Sequence, residues 1–468
     1  MRFGIEMTLR QVEENAAAVE IFDNFLPGVR SRISGNPRTA SLSVRKIVEY
    51  MNGAIPLSIL PRLDEELQKL NTPENRISPS EAKQIAWFHE LDMADKAKTQ
   101  KEENHSQDAV FPGKVWLDTK GERIQAHGGA VFYENGTYYW YGENKEHTDG
   151  KNGIWTWGIR MYSSKDLYNW KDLGNIIPPV LDDPDSSLYP ARCLDRPHII
   201  YCKKSKKYVC WIKLSGAEAS FVILTADSLL GPYTMAEEFY RPGGLEAGDF
   251  DLIWDEDTER AYLYFEANHE VIVCMQLSWD CLRAEKEISR QYAGLTPPFT
   301  REAPCVFGSG NKKYMLTSGM TGYIPNRSDC AVSSSWENTF VSIGNPHVAD
   351  DSDASFNSQI SYVFRVEGKK NLFIAMADRW VPEYPMDARL TDIFTRAVAS
   401  HYDPETYQVT SEERKLYEES PDLELTNTSI SDYVWLPLRI KEPDEEHPQG
   451  MVYIDWLDEW RVEDFEKI

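Results

Sequence analysis

The chain has little positive charge. Its 468 residues include 50 Lys and Arg against 75 Asp and Glu, which gives a formal net charge of −25 at pH 7. Nucleic acids and anionic membrane surfaces repel such a chain, so we expect neither as a partner. The same charge disfavours an acidic polysaccharide as substrate.

Cysteine and long apolar runs are also scarce. The seven cysteines form no Cys-x-x-Cys pair and no metal-ligand spacing, a pattern that fits a reducing compartment. The first residues lack the apolar core of a signal peptide, and no apolar run is long enough to cross a bilayer. We therefore expect a cytoplasmic protein.

Aromatic residues, by contrast, are abundant. The chain holds 14 Trp and 24 Tyr. Such rings stack on the C–H faces of sugars, but they also fill the interfaces between packed β-sheets. Composition alone leaves both interpretations open.

Residues 1–105 have helical patterns followed by a polar linker. Thr8 and Gln11 match a capping box, with apolar residues at helical spacing as far as Phe25. Further helices are predicted at 44–51, ending at Asn52-Gly53, at 64–70, and from the strong start signal at Ser78. This segment carries no chemistry of its own. It is a candidate for packing, for a homo-oligomer interface, or for one wall of a substrate pocket.

From residue 106 to 468 the pattern changes to short strands and turns. One unit occurs five times: a polar opening residue, an apolar run, a polar turn, and a second apolar run 12 or 13 residues after the opening. Repeats of about 50 to 70 residues built from such hairpins are typical of propeller blades. We predict an all-β five-bladed β-propeller with an N-terminal α-helical segment. The late strands near 433–438 and 451–456 are expected to complete a blade begun near residue 115.

The five opening residues all differ from ordinary strand residues in being polar. They are His127, Asp195, Asp249, Glu302 and Gln359. Because the inner strands of a propeller converge on one axis, we expect these side chains to share a pocket. Such a pocket suits acid–base chemistry on a polar, neutral substrate and requires no cofactor. An axial ion such as calcium is compatible with these residues but is not predicted.

Glycoside cleavage with inversion is one chemistry that such a pocket can perform. It needs a protonated carboxyl on the leaving oxygen and a base that activates water, separated by roughly 6.5–9.5 Å. Glu302 is the only Glu among the opening residues, and Asp249, one blade earlier, is placed to raise its pKa. Asp251 competes with Asp249 for that role, and Gln359 lies one blade further on.

Seven stretches of the chain resemble glycoside hydrolase family 43, and most closely its exo-β-1,3-galactanase-like subgroup. They occur in the family's order from about residue 111 to the end, and the helical segment lies outside the resemblance. They are HGGAVFYENGTYYWYGENK (127–145), DRPHIIY (195–201), REAP (301–304), TSGMTGYIPN (317–326), NSQ (357–359), ADRW (377–380) and VWLPL (434–438).

The resemblance implies a five-bladed propeller, an inverting mechanism, and specific catalytic roles. Glu302 would be the general acid and Asp249 its pKa modulator. In the subgroup a glutamine matching Gln359 orients or deprotonates the attacking water, whereas most of the family has a base Asp in the first blade, where this chain has His127. The subgroup usually has Glu at the position of Asp195, and Trp at that of Tyr323.

Further candidates for substrate binding come from the matched stretches. Asp195 and Glu143 are candidate ligands of sugar hydroxyls, and Asn326 accompanies Tyr323 in its motif. Three roles are open for His127: contact with substrate, a ligand of an axial ion or water, or packing. Arg379 either pairs with Asp378 or holds an active-site carboxylate.

Trp435 and Tyr323 are candidate stacking rings, with core packing the alternative for Trp435. Together these residues lead us to expect an inverting exo-glycosidase, a galactan or oligosaccharide 1,3-β-galactosidase acting on a neutral oligosaccharide. A β-xylosidase or α-L-arabinofuranosidase of the same family is the nearest alternative, although such relatives normally keep the first-blade Asp. A non-catalytic carbohydrate-binding propeller is the alternative of another class.

Overall fold

The chain folds into two compact units. One comprises Met1–Gln100, Val180–Tyr189 and Gly216–Glu218, and the other Lys101–Pro179, Pro190–Ser215 and Ala219–Ile468. The computed structural model describes residues 3–35, 37–40, 42–51, 55–72, 77–98, 101–420 and 426–467. Within these ranges, no helix is long and apolar enough to span a membrane.

The first unit is helical, as predicted. Two of its helices begin at the predicted caps: Thr8 and Ser78 each form a complete capping box. The helix predicted at 64–70 instead runs over Leu60–Gln68. The pattern predicted as one helix through Phe25 is two helices, because Asn15 caps the second one by accepting from Ala18 N. The predicted C-cap at Asn52-Gly53 lies outside the described residues. The helices are α1 Leu9–Glu13, α2 Ala16–Phe25, α3 Arg30–Ile33, α4 Pro37–Ala40, α5 Val44–Tyr50, α6 Leu60–Gln68 and α7 Pro79–Ala97.

In the described residues the second unit contains five sheets, which are antiparallel except for one short parallel pair in the fifth. The first three are four-stranded and follow chain order from the inner strand outward. They comprise β1 His127–Glu134, β2 Thr137–Glu143, β3 Ile159–Ser164 and β4 Lys171–Ile177; β5 Leu194–Cys202, β6 Lys207–Leu214, β7 Ser220–Ala226 and β8 Thr234–Tyr240; and β9 Ala247–Asp255, β10 Arg260–Ala267, β11 Val271–Leu277 and β12 Ala284–Gln291.

The fourth sheet has four strands and the fifth has five. The short β17 runs parallel to β21 at the edge of the fifth sheet. The fourth sheet comprises β13 Arg301–Ser309, β14 Lys312–Gly319, β15 Asp329–Ser333 and β16 Val341–Gly344. The fifth comprises β17 His347–Val348, β18 Gln359–Arg365, β19 Phe373–Arg379, β20 Asp432–Lys441 and β21 Met451–Asp455.

The five inner strands form a closed ring. Strands β1, β5, β9, β13 and β18 contact one another in sequence, and β18 contacts β1. Each inner strand begins at or just before one of the five opening residues. The predicted five-bladed β-propeller is confirmed, and the polar openings lie at the same end of each inner strand.

The prediction for the late strands is wrong. Strands β20 and β21 complete the fifth blade, next to β19, and the first blade is built entirely from 127–177. Near the predicted start at 115 the described chain has no blade strand, although it contacts the tail: Val110 forms an isolated bridge with Trp460, and Gly113 N donates to Tyr433 O. Two helices between β19 and β20 were also missed, α8 Ala388–Tyr402 and α9 Ser411–Glu418, although Thr410 and Glu413 form a readable capping box.

Candidate active site

β-Bulges follow three of the opening residues. Strand pairing shifts directly after His127, Asp195 and Glu302. In each case the next residue has positive φ: 58° at Gly128, 47° at Arg196 and 51° at Ala303. A bulge bends the strand and re-aims its side chains. Simple alternation therefore does not predict which neighbours share a face here, and both Asp195 and Arg196 take part in the site.

A chain of polar contacts joins the three residues predicted to be catalytic. Arg196 Nε lies 3.0 Å from Asp249 Oδ2, and Arg196 Nη2 donates to Gln359 Oε1 at 3.1 Å. Gln359 Nε2 in turn donates to Glu302 Oε1 at 3.2 Å. The structure thus brings Asp249, Gln359 and Glu302 together, through an arginine that was not among the predicted site residues. The Gln359 amide contacts Glu302 directly, so this pair lacks the separation of roughly 6.5–9.5 Å expected between an acid and a base.

Asp249 is buried between two cations. Lys213 Nζ donates to its Oδ1 at 2.6 Å, and Arg196 faces the other oxygen. Burial by itself would raise the pKa of this carboxyl, but the charges of Arg196 and Lys213 outweigh that effect and hold the pKa below its usual value. Asp249 is therefore ionised at neutral pH.

Glu302 has the opposite electrostatic environment. Burial, and then the negative charge of Asp249, raise its pKa to about 8, although Lys213 and Arg196 act in the other direction. Its Oε1 accepts from the neutral amide of Gln359. At neutral pH Glu302 therefore carries a proton, which a general acid requires.

Gln359 uses its whole amide group. Oε1 accepts from Arg196 Nη2 and, at 3.3 Å, from Trp380 Nε1; Nε2 donates to Glu302 and, at 2.9 Å, to Ser318 Oγ. Because guanidinium and indole groups only donate, the oxygen must face them. To act as a base, Gln359 would need the imidic tautomer of its amide, whose hydroxyl hydrogen would lie among these donors. The surroundings therefore favour the ordinary amide, which is a very poor base.

Asp195 is anchored by neighbouring side chains. Its Oδ1 accepts from Trp155 Nε1 and its Oδ2 from Ser215 Oγ, each at 2.6 Å. Lys213 Nζ lies 3.9 Å from Oδ2. Asp195 therefore belongs to the same cluster as Asp249, while its role as a sugar ligand stays a prediction.

Glu143 is buried and engaged within the protein. Its Oε2 lies 2.8 Å from Lys145 Nζ, and its Oε1 accepts from the backbone N of Arg196. Burial raises the pKa of Glu143 to about 7 against the opposing charge of Lys145, and Asp195 adds to the rise. This placement makes Glu143 a support for the bulge at Arg196, not an open sugar ligand. Gly128 permits the close approach, since a Cβ there would lie 2.4 Å from Glu143 Oε1.

His127 is a structural residue. Its side chain is fully buried, with Nδ1 3.0 Å from Asp378 Oδ1 and its ring stacked on Tyr433. Gly128 N donates to the other oxygen of Asp378. Of the three roles left open for His127, the structure favours packing, and the predicted substrate contact is not supported.

Three aromatic rings lie beside this network. Tyr323 stacks on Trp155 with a centroid distance of 6.1 Å and lies 5.1 Å from Trp380. A small pocket is lined by Tyr323, Trp380, Gln359 and Ser318, among others. Tyr323 is thus placed where a predicted sugar platform is needed, at the edge of the catalytic cluster.

Asn326 lines the same pocket but uses its amide within its own loop. It donates to Gly319 O and Thr321 Oγ1 and accepts from Gly319 N. The side chain therefore holds the loop that carries Tyr323, which is a shaping role and not the direct sugar contact predicted for it.

Two predicted binding residues are not at the site. Arg379 donates to Phe356 O and lies over the Trp456 ring, because it alternates with Asp378 along β19 and faces the other side of the sheet. Trp435 is 1% exposed and packs against Trp140 and the neighbouring rings between blades. For Trp435 the stacking role is wrong and the core-packing alternative is correct.

The choice between Asp249 and Asp251 is also decided. Asp251 is fully buried, its Oδ2 accepts from Val306 N, and its Oδ1 lies 3.1 Å from His198 Nδ1. It therefore ties the inner strands of neighbouring blades together. Asp249 alone of the pair contacts Arg196 and Lys213.

Four functional residues were missed from the sequence: Arg196, Lys213, Trp155 and Trp380. Arg196 and Trp380 lie within matched stretches, so the motif itself was the available signal. Lys213 pairs across the sheet with Asp195, and this pairing could have been counted from the spacing of the hairpin. Trp155 lies in an irregular segment between β2 and β3 with no such signal.

Comparison with known proteins agrees with this geometry. The family model described as "Glycosyl hydrolases family 43" matches residues 123–348. No curated protein sequence matches the chain. Among solved structures, the β-1,3-galactosidase BT0265 is 30% identical over 77% of this chain, with a TM-score of 0.59. The chain spans 65% of the length of that protein.

Two other structures extend the comparison. The β-1,3-galactosidase BT3683, solved with galactodeoxynojirimycin, is 25% identical over 75% of this chain and all of its own, with a TM-score of 0.58. An exo-β-1,3-galactanase from Phanerochaete chrysosporium is 21% identical over 76% of this chain and 68% of its own, with a TM-score of 0.57. The latter likeness bears on the fold alone.

Proposed function

We propose that this chain is a member of glycoside hydrolase family 43 and acts as an inverting, exo-acting hydrolase that releases galactose from β-1,3-linked galactose chains or short oligosaccharides. The observation that carries the proposal is the pairing of a protonated Glu302 with an ionised Asp249. The names of the two β-1,3-galactosidases support galactose and the β-1,3 linkage.

Glu302 acts as the general acid in this proposal. Its Oε1 is held by the Gln359 amide, which leaves Oε2 to carry the proton toward the glycosidic oxygen. As the bond to the leaving group breaks, the proton moves from Oε2 to that oxygen, and the sugar acquires oxocarbenium character. Asp249 keeps the proton on Glu302 until this step by its negative charge.

Gln359 holds the attacking water in this proposal but does not deprotonate it. The longer of the two bonds to Oε1 comes from Trp380, and a water that donates to Oε1 would replace that bond. Arg196 would keep the oxygen in place during the exchange. The proton released after attack passes to solvent, because an amide is too weak a base to accept it.

Product stereochemistry and a substrate panel test the proposal. Proton NMR during hydrolysis of β-1,3-galactobiose should show α-galactose as the first anomer released. Aryl β-galactoside should be cleaved faster than aryl β-xyloside or aryl α-arabinofuranoside. Release of the β-anomer would contradict inversion. Faster cleavage of either pentoside would favour the family's other activities.

No carboxylate base appears among the described contacts of the site. The alternative of a non-catalytic, carbohydrate-binding propeller therefore also needs a test. Calorimetry with the galactobiose should detect binding together with turnover. Binding without turnover, unchanged in Glu302→Gln, would replace the enzyme by a carbohydrate-binding propeller.

A further inference from the structure

Lys213 is a partly buried cation on the second strand of the second blade. It pairs in register with Asp195, and its side chain is 18% exposed. Its ammonium group lies 2.6 Å from Asp249 Oδ1 and 3.9 Å from Asp195 Oδ2. A lysine in such surroundings would cost stability without its carboxylate partners, so its position depends on both.

The two oxygens of Asp249 have different partners. Arg196 faces Oδ2 but is also bonded to Gln359, so its guanidinium is shared between two blade-start residues. Lys213 faces Oδ1 and, within the described part of the chain, forms no hydrogen bond or ion pair with Gln359 or Glu302. Lys213 can therefore be changed without removing a direct contact to the acid.

We propose that Lys213 is a positioning residue for this reaction: its ammonium group keeps Asp249 ionised and fixed in place, and so sets the pH range over which a proton remains on Glu302. The inference rests on the proposed function and adds a residue to it. Lys213 contacts Asp249 and neither the reacting atoms nor Glu302, which its charge reaches only at longer range.

The charges around this pair come from several strands. Those acting on Lys213, Asp249 or Glu302 are Asp195 and Arg196 on β5, Glu266 on β10, and His269 just after β10. His269 and Glu266 interact mainly with each other, with His269 Nδ1 3.4 Å from Glu266 Oε2. Lys213 and Arg196 both lower the pKa of Asp249 and of Glu302, but Arg196 also holds Gln359, so Lys213 is the cation that can be changed without losing that contact.

The direction of the effect follows from charge. Lys213 lowers the pKa of Asp249 and also that of Glu302. A neutral residue in its place would raise both. Activity requires Asp249 ionised and Glu302 protonated. Both limbs of the pH profile should therefore move to higher pH, the acidic limb by about one pH unit, the size expected when a carboxylate loses one close cation.

The test compares pH profiles of kcat/KM on β-1,3-galactobiose for the full chain and four variants. Lys213→Met and Lys213→Gln are neutral replacements of different polarity, so the result does not depend on one of them folding. Lys213→Arg keeps the charge and should restore the wild-type limbs. Lys203→Met, an exposed lysine paired with Glu256, is the control and should leave the profile unchanged.

The outcomes separate this inference from the proposed function. Alkaline displacement of both limbs in the neutral variants, with rescue by arginine, supports it. Lower kcat with unmoved limbs would overturn it and leave Lys213 a structural residue. A wild-type protein that cleaves no glycoside would instead refute the proposed function. In that case carbon-13 NMR of labelled Glu302, compared between wild type and Lys213→Gln, decides the inference, because an unchanged titration overturns it.

Discussion

Asp249 and Glu302 begin the inner strands of neighbouring blades, yet their protons are held with opposite strength. Asp249 contacts two cations and has a lowered pKa, whereas Glu302 contacts a neutral amide and has a pKa of about 8. Removal from water raises the pKa of both carboxyls, so it does not distinguish them. The difference lies in the partners that Arg196, Lys213 and Gln359 supply, and it assigns the acid and its modulator.

The largest expected effect is the loss of the acid. Glu302→Gln should lower kcat about 10²–10⁴-fold on β-1,3-galactobiose, because the leaving sugar needs protonation. Aryl galactosides with acidic phenols should lose much less. The exposed Glu285→Gln serves as control. Equal losses on both substrate types would show that Glu302 is not the proton donor.

Removal of the modulator should shift the pH profile in a defined direction. Asp249→Asn removes the negative charge that raises the pKa of Glu302 and leaves Lys213 and Arg196 unopposed. The pKa of Glu302 then falls, and the basic limb of kcat/KM moves to lower pH, with about tenfold to hundredfold less activity at pH 7. A basic limb that stays in place would remove Asp249 from the role of modulator.

Substitutions of Gln359 test its contact with Glu302 and its proposed contact with the attacking water. Gln359→Ala should reduce kcat about tenfold at every leaving group, since both the grip on Glu302 and the water contact are lost. Gln359→Glu places a carboxylate 3.2 Å from the position of Glu302 Oε1. That like charge should raise the pKa of Glu302 further and move the basic limb to higher pH. Full activity of the alanine variant would exclude Gln359 from the mechanism.

The smallest effect on chemistry is expected in the tryptophan core. Trp435→Ala should reduce the free energy of unfolding by about 3–5 kcal/mol, because it empties a buried site between blades. The limbs of the pH profile should not move in the protein that remains folded. Trp279→Ala is the matched control, since that ring is 64% exposed, and urea unfolding measures both. A shifted profile for Trp435→Ala would link the core to the site.

The repeat pattern was sufficient to predict the propeller and the meeting of Asp249, Gln359 and Glu302. Which strands complete the last blade was not readable, because α8 and α9 separate β19 from β20 by more than fifty residues and hide the hairpin. The openings were visible as exceptions to an apolar strand pattern. The orientation of the neighbouring side chains was set by β-bulges, which local sequence propensity does not predict.

The remaining errors have different physical origins. Asp195 and Arg196 both join the network because the bulge breaks strand alternation. Arg379 was assigned to the site from its neighbour Asp378, although regular alternation on β19 turns it away. Trp435 and Tyr323 are both aromatic residues of matched motifs, and only three-dimensional burial separates a core ring from a pocket ring.

The most direct test of this account is the protonation state of Glu302 itself. Carbon-13 NMR of protein labelled at glutamate carboxyls, with the resonance assigned by its loss in Glu302→Gln, measures that state as pH changes. The account predicts a carboxyl that remains protonated at pH 7 and titrates near pH 8. A carboxyl already ionised at pH 6 would contradict it.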